Sequence, residues 1–323
     1  MEKWKVFVTR KLPQKALDWL GEKCELEVNP ENRILKKEEV IKGVKGKDGL
    51  LCLLTDKIDA EVMDSADLKM IANYAVGFDN VDVKAATKRK IPVSNTPGVL
   101  TDATAELAWA LLFSMARRVV EGDKFCRAGK YKGWDPMLLL GMDLKGKTLG
   151  VVGAGRIGTA FALKSRGFGL KVLYTDKRKN ELLEKELGAK QVELRELLKE
   201  ADFVSIHTTL TPKTKHLIGE KELRIMKPKA ILINASRGPM LDEKALARAL
   251  KEGWIFGAGL DVYENEPEME PELLDLDNVV LLPHLGSATE ETRTKMALMA
   301  AENLVAGLKG GVPPNCVNPE VFE

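Results

Sequence analysis

Three polar side chains in the second half of the sequence each follow an apolar run, and their types suit acid–base chemistry on an anionic substrate. His284 ends the run VVLLPH, Arg237 lies in ILINASRGP, and Glu266 lies in GLDVYENEPE. The carboxyl ends of parallel strands share one edge of a sheet, where open α/β sheets bind ligands. Arg237 can clamp a carboxylate, His284 can transfer a proton, and Glu266 can fix the tautomer of that histidine. We therefore predict an anion clamp, a proton donor and its orienting carboxylate at one sheet edge.

Each of these residues also has an ordinary structural interpretation, and their combination is what favours chemistry. Arg237 alone could be an exposed loop arginine, and Glu266 alone could be one more solvated carboxylate in an acidic loop. Of the two other histidines, His207 ends the run SIHT, and we favour packing beside a cofactor or capping a loop over proton transfer. His216 lies in the polar segment TPKTKH, and we interpret it as a solvated side chain.

The segment KTLGVVGAGRIG predicts a buried strand, a Gly-x-Gly-x-x-Gly turn and a helix from Arg156 to Phe168. Gly153 would make the tight turn, Gly155 would let the backbone approach a pyrophosphate, and Gly158 would let the helix pack on the strand. The helix N-terminus would direct its free N–H groups at the phosphates. The next strand, KVLYTD, ends in Asp176 about 20 residues on, where a ribose-binding acid is expected. The segment therefore predicts a dinucleotide site.

Composition and charge exclude several other classes of protein. The formal net charge is +2, with 50 basic and 48 acidic side chains and no block of one sign, so the clustered charge of a nucleic-acid-binding surface is missing. The N-terminus enters a strand run directly, and no apolar stretch approaches the ~20 residues that span a bilayer. Cys24, Cys52, Cys126 and Cys316 form no C-x-x-C pair and suit a reducing cytosol. We expect a cytoplasmic protein without a metal, nucleic-acid or membrane partner.

Two α/β blocks follow one another along the 323 residues, which exceed what one core usually holds. Apolar strand runs alternate with helical stretches in both blocks, which predicts parallel sheets. An apolar helix from Thr101 to Arg118 would be buried in its own domain or against a second subunit. The last helix, Thr289 to Leu308, should pack back on the first block. The sequence thus predicts a substrate domain of residues 1–98 plus 287–323 and an inserted dinucleotide-binding domain of residues 99–286, hinged over a ligand cleft.

The sequence resembles the D-isomer-specific 2-hydroxyacid dehydrogenases over essentially its whole length, and most of all their glyoxylate/hydroxypyruvate reductase branch. Six blocks carry the resemblance in family order: NYAVGFDNVD, NTPGVLTDATAELAWALL, GKTLGVVGAGRIG, ILINASRGP, AGLDVYENEP and LPHLGSAT. It implies two Rossmann-like parallel-sheet domains, with the cofactor domain inserted into a flavodoxin-like substrate domain. It implies NAD(P)H-dependent reduction of a small 2-oxoacid by a homodimer built on the helix after Thr101. The catalytic residues would be Arg237, Glu266 and His284, with His284 as the proton donor.

The resemblance also implies binding residues. The amides of Val76 and Gly77, together with Arg237, would bind the substrate carboxylate, and Leu53 and Leu54 would form apolar walls around the substrate. Asp261 would hold the nicotinamide carboxamide, and Thr104 would line the cofactor cleft. The full cofactor-binding set that we expect is Gly153, Ala154, Gly155, Arg156, Ile157, Gly158, Asp176, Lys177, Arg178, Thr104, Ala235, Ser236, Asp261, His284 and Gly286.

The sequence narrows the identity of the substrate and the choice between NAD(H) and NADP(H) but leaves alternatives for both. Phosphoglycerate dehydrogenases carry an arginine where this chain has Asn73, and phosphite dehydrogenases a lysine where it has Val76, so glyoxylate or hydroxypyruvate is favoured. The alternatives are D-lactate, another D-2-hydroxyacid or D-3-phosphoglycerate as the substrate. A dinucleotide-sensing corepressor is a further alternative, although the chain lacks a basic tail. Asp176 favours NAD(H) because it would repel a 2′-phosphate, whereas Lys177 and Arg178 could accommodate one, so NADP(H) stays possible.

Overall fold

The computed structural model describes residues 3–323, which form parallel β-sheets flanked by α-helices. The strands are β1 (Trp4–Val8), β2 (Cys24–Val28), β3 (Gly49–Leu53), β4 (Met70–Tyr74), β5 (Val93–Ser94), β6 (Thr148–Val152), β7 (Lys171–Thr175), β8 (Lys190–Gln191), β9 (Phe203–Ile206), β10 (Ile231–Asn234), β11 (Gly257–Leu260) and β12 (Val279–Leu281). The helices are α1 (Gln14–Gly21), α2 (Lys37–Val44), α3 (Ala60–Asp64), α4 (Val83–Lys88), α5 (Thr101–Ala116), α6 (Val119–Arg127), α7 (Arg156–Lys164), α8 (Glu181–Leu187), α9 (Leu194–Glu200), α10 (Glu220–Ile225), α11 (Glu243–Lys251), α12 (Pro271–Leu274) and α13 (Glu290–Leu308).

The chain divides into two compact units. One contains the residues up to Leu100 together with Ser287–Glu323, and the other contains Thr101–Gly286. Among residues 3–323, no helix is long and apolar enough to cross a membrane.

The first unit is built on a five-stranded parallel sheet in the order β2-β1-β3-β4-β5. This is the flavodoxin-like order, in which the direction of winding reverses between β1 and β3. Helix α13 packs on β3 and β4, and two glycines allow the close approach. A Cβ on Gly49 would lie 3.2 Å from Leu304, and one on Gly307 would lie 2.5 Å from the sulfur of Met70. The C-terminal segment is thereby part of this core.

The second unit is built on a seven-stranded parallel sheet in the order β12-β11-β10-β9-β6-β7-β8. The order reverses between β6 and β9, as in a dinucleotide-binding doubly wound sheet. The predicted fold class, two parallel-sheet α/β domains of Rossmann and flavodoxin type, is confirmed.

The apolar side chains of helix α5 are buried inside the second unit. It packs on α7, β10 and β11, and its apolar residues Ala108, Leu111, Leu112 and Met115 are at most 5% exposed. A Cβ on Gly259 of β11 would lie 3.0 Å from Leu111, so a glycine in the strand admits the helix. These apolar side chains are thus buried within the second unit, whereas Glu106 and Ala110 of the same helix are exposed.

Candidate active site

The turn between β6 and α7 has three glycines in three different environments. Gly153 has φ +95°, and a Cβ there would lie 2.7 Å from the backbone nitrogen of Thr208. A Cβ on Gly158 would lie 1.9 Å from the carbonyl oxygen of Gly153. A Cβ on Gly155 would meet no heavy atom within 4 Å. Gly155 is exposed at the N-terminus of α7, so this backbone has the room that a phosphate group needs.

Two side chains hold the peptide of Ala154 in this turn. The Asp176 carboxylate accepts hydrogen bonds from the backbone N–H of Ala154, at 2.8 Å, and of Arg178, at 3.2 Å. Asn180 Nδ2 donates to the carbonyl oxygen of Ala154, at 2.9 Å, and to Oγ1 of Thr159, at 2.7 Å. Asp176 thus lies beside the glycine turn. Sequence reasoning missed Asn180. Its position before the helical run ELLEKEL signals a helix cap, which it forms by accepting from the N–H of Leu183 at 3.1 Å, but nothing local signals its contact with the turn.

The other residues predicted around this turn differ in their burial. Ile157 is half-buried, and its cationic neighbours in the predicted set are exposed to solvent: Arg156, Lys177 and Arg178. Ala235 is buried, whereas Ser236 is half-buried and donates from Oγ to the carbonyl oxygen of Thr208, at 2.6 Å.

His284 and Glu266 form a hydrogen-bonded pair. Nδ1 of His284 lies 2.8 Å from Oε2 of Glu266, and the two side chains are 27% and 29% exposed. Oε1 of Glu266 accepts a hydrogen bond from the backbone N–H of Tyr263, at 3.1 Å. Burial alone would raise the pKa of Glu266, but the hydrogen bond and charge of His284 outweigh it and hold this pKa below its usual value. With Nδ1 engaged by Glu266, Nε2 is the ring nitrogen left for proton transfer.

The backbone at His284 is held in a rare conformation by Asp261. His284 has φ +56°, a region that few non-glycine residues occupy. Its N–H donates to the carbonyl oxygen of Asp261, at 3.0 Å. The Asp261 carboxylate accepts from the N–H groups of Leu285, at 2.6 Å, and Gly286, at 2.8 Å. Thr104 Oγ1 donates to the carbonyl oxygen of Gly286, at 3.0 Å. Asp261 therefore orients the loop that carries His284.

Asp261 is a fully buried carboxylate at the end of β11. Burial raises the pKa of Asp261 to about 6, although two backbone N–H groups and the charge of His284 act in the opposite direction. A carboxylate has lone pairs for about four hydrogen bonds, so two backbone donors leave capacity for a further donor such as a carboxamide.

Arg237 follows β10 and is half-buried. Its Nη1 donates to the carbonyl oxygen of Ser236, at 2.9 Å, and its charge helps to lower the pKa of Glu266. The next residue, Gly238, lies against the loop after β11: a Cβ there would lie 1.8 Å from the carbonyl carbon of Tyr263. Only glycine permits this contact, which brings the loops of Arg237 and Glu266 together.

The two other histidines have different environments. His207 is half-buried with its Nδ1 shielded from solvent, its Nε2 lies 2.8 Å from Oγ of Ser205, and its ring packs on Phe161 with centroids 4.8 Å apart. Burial lowers the pKa of His207 to about 3, so this ring is neutral and packs beside the glycine turn. His216 is exposed, in agreement with its interpretation as a solvated side chain, and its Nε2 lies 2.6 Å from Oε1 of Glu264 at the surface.

The residues predicted to bind the substrate carboxylate lie in the first unit. Val76 and Gly77 follow β4 and are half-buried. Asn95 Nδ2 donates to the carbonyl oxygen of Val76, at 2.7 Å, and Asn73 Nδ2 to that of Gly77, at 2.9 Å. Within residues 3–323, neither the Val76 nor the Gly77 amide donates a hydrogen bond to the protein. These two N–H groups can therefore serve an anionic ligand.

Asn80 ties this loop to the one after β3, where the predicted wall residues Leu53 and Leu54 are half-buried. Its Nδ2 donates to the carbonyl oxygens of Leu53, at 3.0 Å, and Asp56, at 3.1 Å. Its Oδ1 accepts from Nδ2 of Asn73, at 3.1 Å. Sequence reasoning missed this role, because its partners lie far from Asn80 along the chain.

A doubly wound parallel sheet with a glycine turn at its winding reversal, and with a carboxylate–histidine pair at its strand ends, defines a dinucleotide-dependent dehydrogenase. Comparison with known proteins gives the family. Residues 109–286 match the model of the NAD-binding domain of the D-isomer specific 2-hydroxyacid dehydrogenases. The chain belongs to this family of enzymes, and the family predicted from the sequence is confirmed.

Individual relatives match over nearly the full length. The glyoxylate reductase of Korarchaeum cryptofilum is 55% identical over 322 residues, which cover 99% of this chain and 97% of that protein. The crystal structure of the TT0316 protein of Thermus thermophilus has a TM-score of 0.91 at 51% identity and covers 97% of this chain and 99% of that one. The NADPH-dependent glyoxylate/hydroxypyruvate reductase of Sinorhizobium meliloti, solved with NADP and malonate, has a TM-score of 0.86 at 32% identity, with 100% and 99% coverage.

Proposed function

We propose that this enzyme reduces glyoxylate, or the similar 2-oxoacid hydroxypyruvate, to the corresponding 2-hydroxyacid with a reduced nicotinamide dinucleotide. The observation that carries the proposal is the 2.8 Å contact between His284 Nδ1 and the Glu266 carboxylate, which leaves Nε2 as a proton donor. The names of relatives that are about half identical over the full chain support the substrate class.

The chain's own residues account for binding and proton transfer. In the first unit, the Val76 and Gly77 amides are suited to accept a substrate carboxylate, and Leu53 and Leu54 to limit the size of the substrate side chain. In the second unit, the Arg237 guanidinium is suited to bind an anionic oxygen. The bound cofactor supplies the hydride for the carbonyl carbon. His284 protonates the carbonyl oxygen from Nε2, and Arg237 stabilises the negative charge that develops there. Glu266 stays ionised throughout, and solvent returns the proton to His284.

Replacing the proton donor tests this mechanism. We expect His284→Ala to lower turnover of glyoxylate by about two to four orders of magnitude, while the affinity for NADH and the melting temperature stay near those of the parent enzyme. Glu266→Gln should also lower turnover, and Glu268→Gln, a change of the same type in the same exposed loop, should not. Near-normal turnover of His284→Ala would reject the assignment. An enzyme that binds NADH but reduces none of glyoxylate, hydroxypyruvate, pyruvate and phosphohydroxypyruvate would instead favour a sensing role.

For the cofactor, we infer a preference for NADH over NADPH. The Asp176 carboxylate lies beside the glycine turn, where its charge opposes a 2′-phosphate. The exposed Lys177 and Arg178 act in the opposite direction, and the related Sinorhizobium meliloti enzyme is NADPH-dependent. Asp176→Asn keeps an oxygen that can accept from Ala154 but removes the charge. We expect it to raise kcat/KM for NADPH relative to NADH by about tenfold, and an unchanged ratio would contradict the inference.

We propose that the homodimer predicted on the helix after Thr101 also uses a neighbouring apolar surface, because only part of α5, including Glu106 and Ala110, is exposed. The second unit presents exposed apolar side chains on α6 and the segment that follows it: Val119, Tyr131, Trp134, Met137 and Leu140, with Trp134 84% exposed. Such a patch is typical of a protein interface. Light scattering should give twice the 35.7 kDa chain mass. Trp134→Ser with Met137→Ser should shift it towards the monomer, whereas Leu274→Ser, at another exposed site of this unit, should not. A monomeric parent enzyme would reject the proposal.

A cytoplasmic location is also proposed. Cys24, Cys52, Cys126 and Cys316 are free thiols rather than disulfides, as expected in a reducing compartment. Cell fractionation would test it, and recovery of the native protein outside the cytoplasm would contradict it.

A further inference from the structure

The loop that carries Glu266 is held at both ends by one buried carboxylate. Glu243, the first residue of α11, is only 4% exposed. Its Oε1 accepts a hydrogen bond from the backbone N–H of Glu264, and its Oε2 accepts from that of Glu270, at 3.2 Å. These donors lie two residues before and four residues after Glu266. A single side chain therefore joins the two stems of the loop.

The loop between these stems is compact and supported from the opposite side. The N–H of Glu268 donates to the carbonyl oxygen of Asn265, at 3.0 Å, which closes a tight turn around Glu266. Gly238 packs on the first stem, because a Cβ there would lie 1.8 Å from the carbonyl carbon of Tyr263. The loop is thereby confined between the backbone after β10 and the side chain of Glu243.

Capping of α11 does not explain the buried charge. Asp242 already caps this helix, since its side chain accepts from the N–H of Ala245, at 3.0 Å. Burial raises the pKa of Glu243, so a charged group at this position is unfavourable in itself and is compensated chiefly by the two loop N–H groups. The Glu243 carboxylate is therefore suited to accept hydrogen bonds from the backbone N–H groups of both stems at once.

We propose that Glu243 is a positioning residue for the proton donor, because it fixes the loop from which Glu266 reaches His284. The inference rests on the proposed function, in which the Glu266–His284 pair delivers the proton. The side chain of Glu243 contacts the backbone of the loop rather than His284, and in this proposal it acts through Glu266.

The direct test is Glu243→Gln, which keeps the shape but replaces one acceptor oxygen with a donor that cannot pair with an N–H group. We expect kcat for glyoxylate to fall by about tenfold or more, with KM for NADH within about twofold of the parent enzyme. Glu272→Gln is the matched control, because Glu272 lies on the adjacent α12 with its side chain 63% exposed, and it should leave both constants unchanged. A wild-type kcat for a folded Glu243→Gln enzyme would overturn the inference.

A double-mutant cycle distinguishes positioning from a general loss of structure. If Glu243 acts through Glu266, adding Glu243→Gln to the Glu266→Gln enzyme should lower kcat by less than about a further twofold, because the loop then has no carboxylate to position. Full additivity of the two losses in kcat would reject the proposal. If His284→Ala and Glu266→Gln both turn over normally, the proposed function fails; if both are impaired while Glu243→Gln is normal, only the positioning role fails.

A second variant covers the case in which Glu243→Gln does not fold. Glu270 has φ −59°, which suits proline. Glu270→Pro therefore removes one N–H donor to Glu243 and leaves the buried carboxylate in place. The same selective fall in kcat is expected, and an unchanged kcat would contradict the inference.

Discussion

Two glycines of the turn between β6 and α7 should respond in opposite ways to the same added methyl group. A Cβ on Gly155 would meet nothing within 4 Å, and its φ of −73° suits any residue. Gly155→Ala should therefore leave the free energy of unfolding within ~0.5 kcal/mol of the parent value. A Cβ on Gly158 would lie 1.9 Å from the carbonyl oxygen of Gly153 and 3.2 Å from the Cβ of His207. Gly158→Ala should therefore destabilise the second unit.

The size of the loss at Gly158 follows from the displacement that the clash requires. Carbon–oxygen contacts of this kind lie at about 3.3 Å, so the backbone must move by more than about 1 Å. Overpacking of a close-packed region costs about 1–3 kcal/mol, and the better helix propensity of alanine recovers up to about 1 kcal/mol. The net loss should be about 2 kcal/mol, which lowers the melting temperature by roughly 4–8 °C.

The effects on cofactor binding should not follow those on stability. The backbone of Gly155 is where a pyrophosphate is expected to approach the N-terminus of α7, and a methyl group would obstruct it. Gly155→Ala should therefore weaken NADH binding at least about tenfold, or ~1.4 kcal/mol, with an unchanged melting curve.

Calorimetric titration with NADH and thermal unfolding followed by circular dichroism would measure the two quantities separately. If Gly155→Ala bound NADH with the parent affinity, this turn would not be the pyrophosphate site. If Gly158→Ala melted like the parent enzyme, the packing argument would be wrong.

Two further predictions concern residues whose roles emerged from the structure. Asn80→Ala removes the hydrogen bonds to the carbonyl oxygens of Leu53 and Asp56. It should raise KM for glyoxylate about tenfold and leave kcat within about threefold of the parent enzyme. An unchanged KM in steady-state kinetics would contradict this prediction. Burial lowers the pKa of His207 to about 3, so below about pH 6.5 the unfolded chain binds a proton that the folded enzyme does not. The free energy of unfolding therefore decreases by about 1.4 kcal/mol for each pH unit by which the pH is lowered. Between pH 7 and pH 5 the parent enzyme should lose about 2 kcal/mol more than His207→Gln, and parallel pH dependence of denaturant unfolding in the two proteins would refute the burial argument.

Local sequence patterns predicted most of the secondary structure. The apolar run FVSIHT contains β9 and KVLYTD contains β7, while the helix predicted from Arg156 to Phe168 is α-helical to Lys164 and continues as a 3-10 helix to Phe168. Strand β8 could not be predicted in this way, because Lys190 and Gln191 are both exposed. It exists through pairing with β7.

The candidate site was predictable only in part. His284 and Glu266 could be selected because each follows an apolar run, and the ends of parallel strands share one edge. Asn80, Asn180 and Glu243 could not, since each acts on backbone groups whose proximity is set by the fold. The hydrogen bond from Asn80 to Leu53, for example, spans 27 residues of chain.

The sequence by itself determined the two parallel sheets, the glycine turn and the family, because alternating apolar runs and glycine spacing are local properties of a chain. The tertiary structure alone decided which nitrogen of His284 faces Glu266, that His207 is neutral and that the apolar side chains of α5 are buried within its own unit. These outcomes depend on desolvation and on hydrogen bonds between segments far apart in sequence, which exist only once the sheets have assembled.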